Sequence, residues 1–128
     1  MKSVDTNVLA RFVVGDEPAQ SARAAQLLQA SCFIADTVLL ETAWLLGSRY
    51  AMDRASVAAT LRDLIDLPSV SVGDADGLCW AIERFAAGAD FADMLHLHGS
   101  RSADAFVTFD QKVARVAAAA SPLPIETL

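Results

Sequence analysis

The chain has 128 residues, 54% of them hydrophobic and 20% charged, enough for one buried core and too apolar for disorder. A net charge of −6 at pH 7 does not describe a protein that grips nucleic acid through a broadly basic surface. It points instead to a clustered acid site, a basic partner, or both.

Met1-Lys2-Ser3-Val4-Asp5 reaches a carboxylate before any apolar run, so no secretory leader is expected. Lys2-Ser3-Val4 reads as a first strand and Val8 to Val14 as a first helix. Glu17-Pro18 opens a second helix running to about Ala30, since proline suits a first helical turn. Cys32-Phe33-Ile34 is a second strand, followed by a strongly apolar helix from Thr37 to Tyr50. Its apolar part, Thr37 to Leu46, is far short of the ~18 residues that span a bilayer, and Glu41 interrupts it. Asp53 caps a helix to about Leu67, and Val70-Ser71-Val72 is a third strand. Asp74 caps a helix to about Ala87, which Gly88 ends. A helix from Asp90 to about Arg101, a strand Ala105-Phe106-Val107-Thr108, a helix from Gln111 to Ala119 and a strand Pro124-Ile125-Glu126 complete the chain. Cys32 and Cys79 have no metal-ligand spacing and read as reduced, buried thiols of a cytosolic protein.

This alternation predicts a single α/β domain over residues 1–128, with a mostly parallel sheet of about five short strands and helices on both faces. Ligands of such sheets bind beyond the carboxyl ends of the strands. Asp5 and Asp110 each follow a strand-like run directly, which places them on that rim, though each also precedes a helix and could serve as its N-cap. Asp36 is a third acid after a strand, and we assign it to capping. Glu41 lies among Val38, Leu39, Leu40, Ala43, Trp44, Leu45 and Leu46, an environment that predicts a buried carboxylate in need of an arginine, a lysine or a cation. Asp90 and Asp93 stand one turn apart at a helix start, where cap and dipole also account for them. Taken together, Asp5, Glu41, Asp93 and Asp110 suit a hard divalent cation, Mg²⁺ or Mn²⁺, which takes oxygen ligands only. His96 and His98 are two apart on a helix and read as packing or surface histidines.

Four stretches in order resemble the PIN domain, and specifically the VapC-type toxins of bacterial toxin–antitoxin pairs. They are Val4-Asp5-Thr6-Asn7-Val8-Leu9, Asp36-Thr37-Val38-Leu39-Leu40-Glu41-Thr42-Ala43-Trp44-Leu45-Leu46, Asp90-Phe91-Ala92-Asp93-Met94-Leu95-His96-Leu97 and Phe106-Val107-Thr108-Phe109-Asp110. The resemblance covers essentially the whole chain. It implies a doubly wound α/β fold, metal-dependent endoribonuclease activity, a homodimer, and inhibition by a cognate VapB-type antitoxin. Asp5, Glu41, Asp93 and Asp110 match the family's acids in turn, Asp90 stands near the site in many relatives, and Thr6, Asn7 and Thr108 match positions that orient the acids by hydrogen bonds. The stretch from Leu97 to Ala105 is a residue or more shorter than the family pattern, and Gly99 falls where a helix former is usual.

The expected chemistry is RNA phosphodiester hydrolysis by metal-activated water, leaving 5′-phosphate and 3′-hydroxyl ends. Arg11, Arg49, Arg54, Arg101, Lys112 and Arg115 are the candidate RNA contacts, and a basic antitoxin segment could be drawn to the acids. Two rivals stand beside this reading. Val4-Asp5-Thr6-Asn7 also resembles the start of haloacid-dehalogenase-like phosphatases, but Asn7 replaces their second acid and no lysine-bearing motif follows in place. The other rival is a PIN-like module that binds without catalysis, against which the presence of all four acids argues.

Overall fold

The computed structural model describes residues 1–117 and 120–128. They form two compact units, Met1–Ala75 and Asp76–Leu128. In the first unit lie β1 (Lys2–Ser3), α1 (Thr6–Val14), α2 (Pro18–Leu27), β2 (Cys32–Phe33), α3 (Asp36–Ser48), α4 (Arg54–Asp66) and β3 (Val70–Ser71). α5 (Ala75–Ala86) begins at the boundary, and the second unit continues with α6 (Phe91–Gly99), β4 (Phe106–Thr108), α7 (Lys112–Ala117) and β5 (Ile125–Thr127). The last residues expected of the helix from Gln111, Ala118 and Ala119, lie outside the described residues.

The five strands are short and parallel, as an α/β fold requires. In the first unit they form a sheet in the order β1-β2-β3, each crossover carrying a pair of helices. The ladder runs just beyond the strands, with Val4 N–H donating to Phe33 O at 3.1 Å and Ile34 N–H to Ser71 O at 3.0 Å. Leu9, Ile34, Leu39, Leu46, Val57 and Leu61 fill the core of this unit. In the second unit β4 pairs with β5, and Leu78, Ile82, Met94 and Leu97 are fully buried. The rings of Phe85 and Phe91 meet at 5.5 Å, and Arg84 Nε donates to Val116 O at 2.9 Å, tying α5 to α7.

Local chemistry explains most boundaries. Pro18 opens α2 at its first turn, and Asp53 caps α4 by accepting from Ser56 N–H at 2.7 Å. That bond to the backbone holds the Asp53 carboxyl below the ordinary aspartate value. Gly88, at φ +116°, follows α5 in a conformation closed to residues with a Cβ. α6 ends at Gly99 with Ser100 as its C-cap, short of the Arg101 expected from sequence.

Two expectations are corrected in α3. Its N-cap is Ala35, which has no side-chain acceptor, so Asp36 is the first helical residue and favours the helix through the dipole rather than by capping. The helix is also not buried all round. Leu39, Thr42, Ala43 and Leu46 face the core, whereas Glu41 is exposed and Trp44 is 68% exposed. The apolar outer side chain of Trp44 hides the amphipathic pattern when the sequence alone is read. Among the described residues no helix is long and apolar enough to cross a membrane.

Candidate active site

The exposure of Glu41 removes one argument for a metal. An exposed carboxylate has no unmet need for a partner, so Glu41 is neither a costly buried charge nor half of a core ion pair. It stands on the outer face of α3, a helix packed against α1, whose start holds Asp5.

Asp5 follows β1 and Val4 at the carboxyl edge of the first unit's sheet. Its Oδ1 accepts from Val8 N–H at 3.1 Å and so caps α1. Asp90 and Asp110 behave alike in the second unit. Asp90 Oδ1 accepts from Asp93 N–H at 2.9 Å at the start of α6, and Asp110 Oδ1 accepts from Lys112 N–H at 2.8 Å at the start of α7. The capping readings hold for Asp5 and Asp90, and Asp110 makes a comparable bond two residues before α7, yet none of these bonds competes with ligation. An ionised carboxylate has about four lone-pair sites, and one cap bond leaves acceptor capacity for a cation. The cap also fixes the direction of that remaining capacity.

Of the positions expected to orient the acids, Thr108 acts on one directly. Its Oγ1 accepts from the backbone N–H of Asp110 at 3.0 Å, which pins the residue that carries the carboxylate. Thr6 is buried and Asn7 exposed in the first turn of α1, immediately after Asp5.

Asp93 shows the electrostatics of the group most clearly. It is half-buried on the first turn of α6, and its carboxyl is raised above the ordinary aspartate value. Burial is the largest cause, followed by the negative charges of Asp90 and Asp110, with His96 opposing them. A divalent cation reverses the sign of each of these carboxylate repulsions, and its preferred ligands are the oxygens present. The donor chemistry of Asp90, Asp93 and Asp110 therefore fits such an ion. Among the described residues, however, no three His, Cys, Asp or Glu side chains sit close enough to cage one. The second unit thus holds a set of mutually repelling acids rather than a finished cage.

The candidate cations divide. Arg11 is committed to Asp16 at 3.2 Å and to Gln20 at 2.7 Å, and Arg101 donates to His98 O at 2.9 Å. Arg49, Arg54, Lys112 and Arg115 are exposed. His96 is exposed and His98 buried, in keeping with surface and packing roles. Sequence reading missed Phe109, which it placed in a strand-like run. The strand ends at Thr108 and leaves that ring 81% exposed beside Asp110.

The double use of Asp5 can be separated experimentally. Asp5→Asn keeps an N-cap of equal quality and removes the charge, whereas Asp5→Ala removes both. The expected result is wild-type stability for Asp5→Asn and a loss of ~1 kcal/mol for Asp5→Ala in urea unfolding. Equal stability of the two variants would show that the Val8 bond is not a working cap.

A comparison with curated proteins returned no match. The sequence profile of the PIN domain matches residues 2–119, a span that takes in Asp5, Glu41, Asp90, Asp93 and Asp110 and crosses both compact units. PIN domains are generally nucleases and typically use divalent metal ions. With nearly the whole chain matched, and with an α/β fold of parallel strands beneath it, this protein belongs to the PIN domain family.

Proposed function

We propose that the chain, as a single PIN-like domain over residues 1–128, is a metal-dependent endoribonuclease and the toxin of a type II toxin–antitoxin pair. In this reading it acts in the cytoplasm as a homodimer and is restrained by a VapB-type antitoxin. Mg²⁺ is the natural cofactor, with Mn²⁺ as substitute. Asp5, Glu41, Asp93 and Asp110 are the residues that hold it, with Asp90 beside them and with Thr6, Asn7 and Thr108 orienting the acids.

The observation that carries the reading is the PIN-domain match over residues 2–119, a span that contains Asp5, Glu41, Asp90, Asp93 and Asp110. The raised carboxyl of Asp93, held up by burial and by Asp90 and Asp110, is in keeping with it. Acids that destabilise one another persist where a cation compensates them. When bound, a divalent cation supplies Lewis acidity toward a phosphodiester and delivers the attacking water. The chain's own contribution is positioning. Asp5, Asp90 and Asp110 are fixed by their helix-start hydrogen bonds, Asp93 by its half-buried place on α6, and Asp110 further by Thr108. Each of these helix-start bonds leaves its carboxylate acceptor capacity for a cation in a fixed direction.

Brief induction followed by sequencing of RNA 5′ ends tests this. New 5′-phosphate ends are expected with the wild type and none with Asp93→Asn. The purified protein should lose activity in EDTA and regain it with Mg²⁺ or Mn²⁺. Cleavage that survives EDTA, or that yields 2′,3′-cyclic ends, would exclude the mechanism.

A further inference from the structure

Asp110, just before α7, has two kinds of neighbour that metal binding does not use. Phe109 is 81% exposed, more than any other large hydrophobic side chain among the described residues. A phenyl ring so placed forgoes the burial that normally anchors it. It directly precedes Asp110, whose own backbone is pinned by Thr108 and whose Oδ1 holds Lys112 N–H. Lys112 and Arg115 follow, both exposed and one turn apart on α7, so they share a face of the helix. An aromatic face, a carboxylate and two cations are thereby gathered within Phe109–Arg115 of a single compact unit.

We propose that Phe109 is a stacking platform for one base of a single-stranded nucleic acid whose backbone lies at Asp110, with Lys112 and Arg115 taking the flanking phosphates. This rests on the nuclease reading above and adds to it the side chain that holds a base beside Asp110. A ring face accepts any base, and cations track phosphates regardless of sequence. A base within a duplex has both faces covered by its neighbours, so an exposed ring selects an unpaired strand. Phe109 is in this scheme a positioning residue, which touches the substrate beside the scissile bond and does no chemistry on it.

The test uses the full-length chain, Mg²⁺ and a short fluorescein-labelled RNA of mixed sequence, either single-stranded or annealed to its complement. A competing ribose-phosphate chain without bases serves as a second probe. Phe109→Ala should raise KM for the single strand about tenfold while leaving kcat within about twofold, and Phe109→Tyr should restore it. The abasic competitor should inhibit wild type and Phe109→Ala equally, because only the base contact is lost. Lys112→Gln should weaken single strand and abasic competitor alike, and reduce the salt slope of binding by about one. The proposal is overturned if Phe109→Ala keeps the wild-type KM, if it loses affinity for the abasic chain as well, or if it converts a dimer to a monomer in sedimentation. The last result would assign the ring to contact with a second copy. A wild type that cuts no RNA removes the nuclease reading and this inference together. A wild type that cuts, matched by an equally competent Phe109→Ala, removes the stacking alone.

Discussion

Asp93→Asn is expected to lower RNA cleavage by a factor on the order of 10²–10³ and, in the same molecule, to raise the thermal stability of the metal-free protein at neutral pH. The two effects share one cause. The folded state holds the Asp93 carboxyl above its ordinary value, chiefly by burial and then through Asp90 and Asp110. For an acid raised on folding, the favourable contribution is complete below the unfolded value of 3.8 and is lost as pH rises through the folded value. At neutral pH the ionised group therefore costs stability, and asparagine removes that cost. Thermal melts in EDTA across the acidic range should show wild type losing stability relative to Asp93→Asn as pH increases. A variant less stable than wild type at neutral pH in EDTA would mean that Asp93 makes a favourable contact outweighing its burial and repulsion.

The second large effect is that of the cation on the fold. At a Mg²⁺ or Mn²⁺ concentration one hundredfold above Kd, binding to the folded state alone adds about 2.7 kcal/mol. For a chain of this size the midpoint of unfolding should rise on the order of 10 °C. The increment should shrink as pH falls through the Asp93 value, because the ion must displace a proton to reach that carboxylate. It should also fall sharply in Asp110→Asn, whose asparagine can keep the helix-start hydrogen bond. Scanning calorimetry with and without EDTA measures this. An equal rise in every acid variant would identify a non-specific salt effect.

Much of this architecture is legible in the chain because its punctuation is chemical. Pro18, Asp53, Asp90 and Gly88 each mark a helix boundary through a backbone rule that tertiary structure does not override. The acids were legible as residues but not as environments. Glu41 read as buried because Trp44, Leu40 and Leu45 extend the apolar run around α3, and nothing in the sequence says that an indole faces water there. Asp36 read as a cap because acids usually cap, whereas here the chain enters α3 at Ala35, one residue earlier. The coupling of Asp93 to Asp110 joins residues of different elements, α6 and the turn before α7, and no local pattern encodes it. Phe109 escaped notice for the opposite reason, since an aromatic after a strand normally signals interior packing.

The strands, at two or three residues each, carry a further consequence. Ladders so brief contribute few backbone bonds, and the stiffness of the molecule must reside in its packed helices. Asp90 and Asp110 are fastened to helix starts within the second unit, so the directions of their oxygens follow how the cylinders of side chains in that unit nest. A methylene trimmed from the fully buried Met94 side chain thus becomes a means of turning those carboxylates.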